Sequence, residues 1–285
     1  MSVRTGLPLF EQLCVESQSN CNRSCWFCPR TYDRTGKYLD RSGNAVIREM
    51  PTEKIVDILR QAGTLGFRGP VGFQHYSEPL LDPRNLMLAR EALRCGLMPW
   101  LHTNGDVLRH NERLCHEASE VYRHIVIGIY DYDSDEELDL EKRFWRTRLT
   151  CAQLDFSTIG LRGRHSGTSM AIPRARVPSD ERMSVPDLTF PNGPCQRPLI
   201  RLIITWDGEV CNCCEDIHGA FGLGNVYEST LEELWFSAHH RRVVEDLVAG
   251  RRDLYGLCRN CPLPPSGPRA EGRRLEMAWR RNSIS

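Results

Sequence analysis

Cys21-Asn22-Arg23-Ser24-Cys25-Trp26-Phe27-Cys28 follows closely on the apolar run Leu13-Cys14-Val15-Glu16. The run has the length of a buried strand, so the three cysteines fall in the loop at its carboxyl end. Their Cys-x3-Cys-x2-Cys spacing lets three thiolates share one metal centre, because thiolate is the ligand of zinc and of iron–sulfur clusters alike. Structural zinc takes four ligands, and no fourth Cys or His stands at finger-like spacing. Cys14 precedes Cys21 by seven residues and would lie within the strand. An incomplete zinc knuckle and a cubane cluster with one iron left open both remain compatible with the spacing.

Outward from this loop, apolar runs alternate with helical patterns as far as Leu161. Strands are predicted at Leu13–Glu16, Val71–His75, Pro99–His102, His124–Tyr130 and Leu154–Ile159. Helices are predicted at Thr52–Ala62, Pro83–Cys95, His110–Val121 and Ser134–Thr147; in the first, Ile55, Ile58, Leu59 and Ala62 recur at 3.6-residue spacing. Such alternation gives an α/β fold, a parallel sheet covered by helices, with its ligand site at the carboxyl ends of the strands. Cys21–Cys28, Tyr76–Pro79 and Thr103–Gly105 all fall at those ends. Residues 162–194 are rich in glycine and proline and read as a linker or lid. Beyond them, two short strands flank a turn at Trp206-Asp207-Gly208, the second running Glu209–Cys213. One helix is predicted over Thr230–Val248, with Ser229 and Glu232 as its capping box.

The chain has 285 residues, 40% of them hydrophobic and 26% charged, which is a globular composition. Thirty-seven basic residues balance thirty-seven acidic ones, whereas a general nucleic-acid binder carries a basic excess. The sequence shows no apolar run of membrane-spanning length and no signal peptide, so the expected compartment is the cytoplasm. Thirteen cysteines, an odd number without an export signal, point to metal rather than disulfides. A second set of four is available: Cys195 and Cys213 around the hairpin, and the chelating pair Cys258-x2-Cys261. A zinc ribbon would use the same four thiolates.

The first triad, with an aromatic (Phe27) just before its third cysteine, resembles the signature of the radical SAM family. The resemblance implies a 4Fe–4S cluster on Cys21, Cys25 and Cys28, whose open iron chelates S-adenosylmethionine for cleavage to a 5′-deoxyadenosyl radical. Phe27 would pack near the adenine. Tyr76-Ser77-Glu78-Pro79 resembles the family's Gly-Gly-Glu segment, with both glycines replaced, and Glu78 would receive the methionyl ammonium. Thr103-Asn104-Gly105 looks like the family's Thr-Asn-Gly turn and brings Asn104 to the cofactor. Gly128–Tyr130 lacks the ribose-binding serine often found there. Arg162 and Arg164 resemble an arginine near cofactor or substrate. The second set, with Cys213-Cys214-Glu215-Asp216 and Gly224-Asn225-Val226, resembles the twitch domain, a shortened SPASM module carrying one auxiliary 4Fe–4S cluster on Cys195, Cys213, Cys258 and Cys261.

The resemblance covers residues 13–262. It implies a partial (β/α)6 radical SAM barrel over 1–162, a linker or lid over 163–194, a twitch domain of β-hairpin plus helix over 195–262 and a tail over 263–285. Only twenty residues precede Cys21, which leaves no room for a leader-peptide-binding domain and sets a peptide-modifying role below a small-molecule one. Among twitch enzymes the pattern is similar to aminoglycoside-pathway enzymes, the 2-deoxy-scyllo-inosamine dehydrogenases and the radical epimerases. The implied substrate is an amino-sugar or cyclitol, and the implied electron donor a flavodoxin or ferredoxin. Cys14, Cys95, Cys115, Cys151, Cys211 and Cys214 are spare, and the first four read as small buried hydrophobes. Cys214, next to a cluster ligand, is the expected hydrogen donor of an epimerase, with Arg162 favouring deprotonation of a hydroxyl. The alternatives are a dehydrogenase forming a ketone and a non-catalytic zinc module.

Overall fold

The computed structural model describes residues 7–25, 28–158, 192–259 and 261. Seven strands form one sheet: β1 (Gln12–Val15), β2 (Pro70–Gly72), β3 (Met98–Thr103), β4 (His124–Ile129), β5 (Gln153–Thr158), β6 (Arg201–Ile204) and β7 (Val210–Cys211). Their spatial order is β5-β4-β3-β2-β1-β6-β7. Strands β1 to β6 run parallel, and β7 returns antiparallel along β6. The sheet is thus mixed, with β5 and β7 as its two edges. The first strand of the predicted hairpin is the sixth parallel strand, seated directly beside β1, so the sheet continues across residue 195.

Helices Thr52–Thr64, Asn85–Arg94, Glu112–Val121 and Asp135–Arg148 connect the first five strands. The stripe read from the sequence is the buried one: Ile55, Ile58, Leu59 and Ala62 join Leu13, Val15, Val71, Leu101, Ile125 and Ile127 in a single core. Each large side chain fully buried there contributes about 1.5–3 kcal/mol. The strands alternate rather than being apolar throughout. In β3, Pro99, Leu101 and Thr103 are buried while Trp100 and His102 are half-buried; in β4, Ile125 and Ile127 are buried while His124 and Val126 are not. A parallel sheet covered by helices on both faces would show continuous apolar runs. Here the face away from the helices is lined by polar and aromatic side chains.

Four local expectations are corrected. Strand β2 stops at Gly72, so Phe73–His75 lie beyond the ladder. The helix predicted over Thr230–Val248 is two, Leu231–Trp235 and Ala238–Val248, because the Ser237 side chain accepts from the His240 N–H and starts a new helix. The capping box belongs to Thr230 and Glu233, one residue later than read from the sequence. Strand β7 ends at Cys211 because the buried Asp216 carboxylate accepts from the Asn212 N–H at 3.2 Å and the Ala220 N–H at 2.7 Å, curling the segment into a turn. The strand predicted over Glu209–Cys213 is therefore shorter, and Cys213 lies in the turn. Among the described residues, no helix is long and apolar enough to cross a membrane.

Candidate active site between two cysteine loops

Because β1 to β4 are parallel, their carboxyl ends deliver three loops to one edge of the sheet. The loop after β1 carries Cys21, Cys25 and Cys28, all half-buried, with the Cys28 N–H donating to the Cys25 carbonyl at 3.0 Å. Arg23, between the first two cysteines, holds this loop to the next strands. Its guanidinium grips the Asp106 carboxylate with two nitrogens and donates to Asp131 Oδ2 at 2.7 Å. Asn22 adds a donor to Asp106 at 2.8 Å and accepts from Asn104 Nδ2 at 2.9 Å. The bidentate contact with Arg23 holds the Asp106 carboxyl below the usual carboxylate range. Asp131, which by position could have met a cationic substrate, is engaged by Arg23 instead.

Glu78, 3% exposed, accepts from the Thr103 hydroxyl at 2.6 Å, the Asn104 N–H at 2.8 Å and the Leu80 N–H at 3.1 Å. The two turns read separately from the sequence therefore meet. Burial nevertheless raises the Glu78 carboxyl to about 7, so a positive partner there would restore its charge. The Thr-Asn-Gly turn is fixed by Gly105, whose φ of +81° suits glycine and whose missing Cβ leaves room for Trp145, which would be only 2.6 Å from it. Asn104 uses its side chain within the loop network, accepting from the Asp106 N–H at 3.0 Å.

The second set comes from three segments of the chain. Cys195 is tied by its N–H to the Leu247 carbonyl at 2.8 Å, Cys213 opens the Asp216 turn, and the Cys261 N–H donates to the Cys258 carbonyl at 3.1 Å. Arg197 reaches the Cys195 sulfur at 3.6 Å, and the Glu215 N–H points at the Cys213 sulfur at 3.4 Å. Cys258 is raised to about 12 by burial, with Cys195 and Cys261 adding to the effect; Cys213 is raised well above the ordinary thiol range by burial, with Cys214, Glu215 and Cys195 adding. In the first set, burial and neighbouring thiols lift Cys25 to about 11 and Cys28 to about 12. Both donor sets are thus crowded thiols whose ionisation is unfavourable without a cation between them, which fits an iron–sulfur centre in each loop. Among the described residues no three such groups converge on a single metal ion.

Cys214 packs against a small cluster of Cys14, Ile203 and Cys211, joined by Trp100. Its carbonyl accepts from the Tyr76 hydroxyl, and its sulfur lies 3.8 Å from Glu215 Oε1. Asp216 shapes its own turn and is fully buried. Phe27, Arg162 and Arg164 lie outside the described residues. Sequence reasoning missed Arg23 and Asp106, although a charged pair flanking two loops was visible. It also missed Glu16, fully buried at the end of β1, which accepts from Tyr38 Oη at 2.7 Å and the Tyr76 N–H at 2.8 Å. A carboxylate ending an apolar strand was the available signal. On the inner face, His124 Nε2 lies 2.9 Å from Asp155 Oδ2, and His102 Nε2 lies 3.3 Å from the Tyr130 hydroxyl. Burial and then His124 push His102 down to about 4, so it stays neutral.

Residues 195–262 match the SPASM family, an iron-sulfur cluster-binding domain. A curated relative from Niallia circulans, S-adenosyl-L-methionine-dependent 2-deoxy-scyllo-inosamine dehydrogenase, is 27% identical over 270 residues, covering 89% of this chain and 93% of the relative. The crystal structure of BtrN in complex with AdoMet and 2-DOIA shares the fold with a TM-score of 0.68 at 22% identity, over 90% of this chain and 94% of BtrN. BtrN in an open conformation gives 0.62 at the same identity and coverage. Over nearly its full length the chain is thus similar to an S-adenosyl-L-methionine-dependent 2-deoxy-scyllo-inosamine dehydrogenase, and its residues 195–262 match an iron-sulfur cluster-binding SPASM domain.

Proposed function

We propose that this enzyme oxidises a secondary alcohol on an aminocyclitol or amino-sugar ring to the ketone, in the assembly of an aminoglycoside-type antibiotic. The observation that carries the reading is the match to a dehydrogenase of that class over nearly the full length of both chains. It displaces the epimerase expected from Cys214, whose setting supports a packing and tethering role: the thiol is among Cys14, Ile203, Cys211 and Trp100, and its carbonyl is held by Tyr76.

In this reading Cys21, Cys25 and Cys28 would hold the first 4Fe–4S cluster, and Cys195, Cys213, Cys258 and Cys261 the second. When bound, S-adenosylmethionine and the first cluster would supply hydrogen-atom abstraction, and the second cluster a sink for the electron left on the substrate. Glu78, fixed by the Thr103 hydroxyl and the Asn104 N–H, would turn its carboxylate to the methionyl ammonium. Arg23 would keep the first loop against the ends of the strands. Phe27 against the adenine, Arg164 near the cofactor and Arg162 near the reacting hydroxyl complete the set that the resemblance implies. The carbinol carbon loses a hydrogen atom, the hydroxyl a proton and the ring one electron. The sheet would curl as a partial (β/α)6 barrel around the substrate, and a flavodoxin or ferredoxin would serve as reductant.

Oxygen-free enzyme with both clusters reconstituted, a chemical reductant, S-adenosylmethionine and 2-deoxy-scyllo-inosamine in heavy water should give the ketone. An inverted alcohol carrying solvent deuterium would instead establish the epimerase.

A further inference from the structure

On the inner face of the sheet, three polar side-chain atoms lie together over Gly72 and have no partner among the described residues. A Cβ placed on Gly72 would stand 2.5 Å from Gln74 Nε2, 2.9 Å from Gln74 Oε1 and 2.9 Å from Trp100 Nε1. All three atoms are buried without a hydrogen bond, and Gln74 as a whole is 7% exposed. The arrangement is built by the sheet. Gln74, just past the end of β2, lays its carboxamide against Gly72, and β2 pairs with β3 one step before Gly72 would meet Trp100, at Val71↔Pro99. An unmet buried donor or acceptor is costly, so a folded protein keeps several of them together where a ligand or an ordered water satisfies them.

The location fits substrate. Cys14, the register partner of Gly72, packs in the cluster that joins Trp100 to Cys214. Four residues after Gln74 stands Glu78, at the first cysteine loop. The cluster over Gly72 therefore lies on the sheet face that carries Cys14 and Trp100, beside Cys214. Its chemistry is also selective. A carboxylate or phosphate would be repelled by Gln74 Oε1, and an ammonium would find a single acceptor facing two donors. A hydroxyl matches all three groups: it accepts from Trp100 Nε1–H and Gln74 Nε2–H and donates to Gln74 Oε1.

We infer that the Gln74 carboxamide and the Trp100 indole N–H, meeting over Gly72, bind a non-reacting ring hydroxyl of the substrate and determine which polyol is accepted. The inference rests on the alcohol-oxidation reading for its substrate class. A site built to hydrogen-bond a hydroxyl rejects the analogue that lacks it, because its own polar groups are then left unpaired. The absent Cβ of Gly72 is part of the device, since a methyl there would displace the carboxamide.

The test is a substitution cycle on the cluster-loaded enzyme with S-adenosylmethionine present. Calorimetric affinity and ketone formation are measured for 2-deoxy-scyllo-inosamine and for its analogues lacking one hydroxyl each. The expected result is that Gln74→Leu, Trp100→Phe and Gly72→Ala each weaken binding of the parent compound about ten- to a hundredfold. One particular deoxy analogue should bind the wild type just as weakly and lose little more in the variants. Equal losses for every analogue in Trp100→Phe and Gln74→Leu would mean a structural role and would overturn the inference, even with ketone formation intact. Coupled losses in binding with no ketone formed would uphold the recognition pair and sink the oxidation reading. Failure of the wild type to bind any of these compounds would overturn both. Thermal unfolding of each variant separates misfolding from lost recognition, and Gly72→Ala supplies a variant that retains both polar side chains.

Discussion

The Tyr76 hydroxyl donates to the carbonyl of Cys214. One residue thereby joins the segment carrying Glu78 to the turn carrying Cys213, and its own N–H is fixed by the buried Glu16 at 2.8 Å. Glu16 also takes the Tyr38 hydroxyl at 2.7 Å and the Trp206 N–H at 3.4 Å, so the two cysteine loops share a single buried carboxylate as their anchor. Relative placement of two centres 192 residues apart in sequence, from Cys21 to Cys213, depends on this short polar chain.

Removing the tie should loosen the coupling between loops before it harms either one. Tyr76→Phe deletes one hydrogen bond, worth about 1 kcal/mol in stability. Iron and sulfide content should stay at the wild-type level, while 5′-deoxyadenosine formed per ketone rises because the substrate is less well held. Loss of iron in this variant would show that the contact serves folding of a cysteine loop instead.

Glu78→Gln keeps an acceptor for Thr103 or Asn104 and removes the charge. Affinity for S-adenosylmethionine should fall about ten- to a hundredfold, the range of a hydrogen bond to a charged group, with cluster content retained. Equal affinity in the two proteins would free Glu78 from its assigned role.

Glu16 gives a pH dependence with a definite sign. Burial raises its folded-state carboxyl from 4.5 to about 7, against the opposing donors Tyr38, Tyr76, Ser77 and Trp206. Between those values the folded state binds more proton than the unfolded one, so its contribution to stability is present at low pH and is lost as pH rises toward 7. The difference in thermal midpoint between wild type and Glu16→Gln, followed from pH 5.5 to pH 8 by about half-unit steps, should shift in favour of the variant as pH rises and level off above about 7. A difference independent of pH would place the Glu16 titration outside this window.

The helix start at Leu231 separates two adjacent candidates. Thr230→Ala removes the side chain that caps Glu233 N–H and should cost about 1 kcal/mol, whereas Ser229→Ala should change stability by less than about 0.5 kcal/mol. Chemical denaturation of both variants decides it, and the reverse order would restore the capping box read from the sequence.

That pair illustrates where the sequence was legible. Ser229-Thr230 and Glu232-Glu233 present the same box in two registers, and only packing of Leu231, Leu234 and Trp235 against the core selects one. The alternation of strands and helices was readable because Ile55, Ile58, Leu59 and Ala62 make an unbroken stripe, and parallel order then placed three motifs on one edge. Cysteine spacing was readable because chelation is local. Long-range polar contacts were not: nothing near Arg23 announces that its partner is Asp106, and Gln74 and Trp100 acquire meaning only when β2 and β3 are aligned. The turn after Cys211 was misread because the carboxylate that curls it, Asp216, lies beyond the strand it ends.

The most direct test uses 2-deoxy-scyllo-inosamine deuterated at the carbinol carbon to be oxidised, with cluster-loaded enzyme under strict exclusion of oxygen. The expected result is deuterium in the 5′-deoxyadenosine and a ketone formed in equal amount. Recovery of an inverted alcohol, or 5′-deoxyadenosine free of that deuterium beside unchanged substrate, would contradict it.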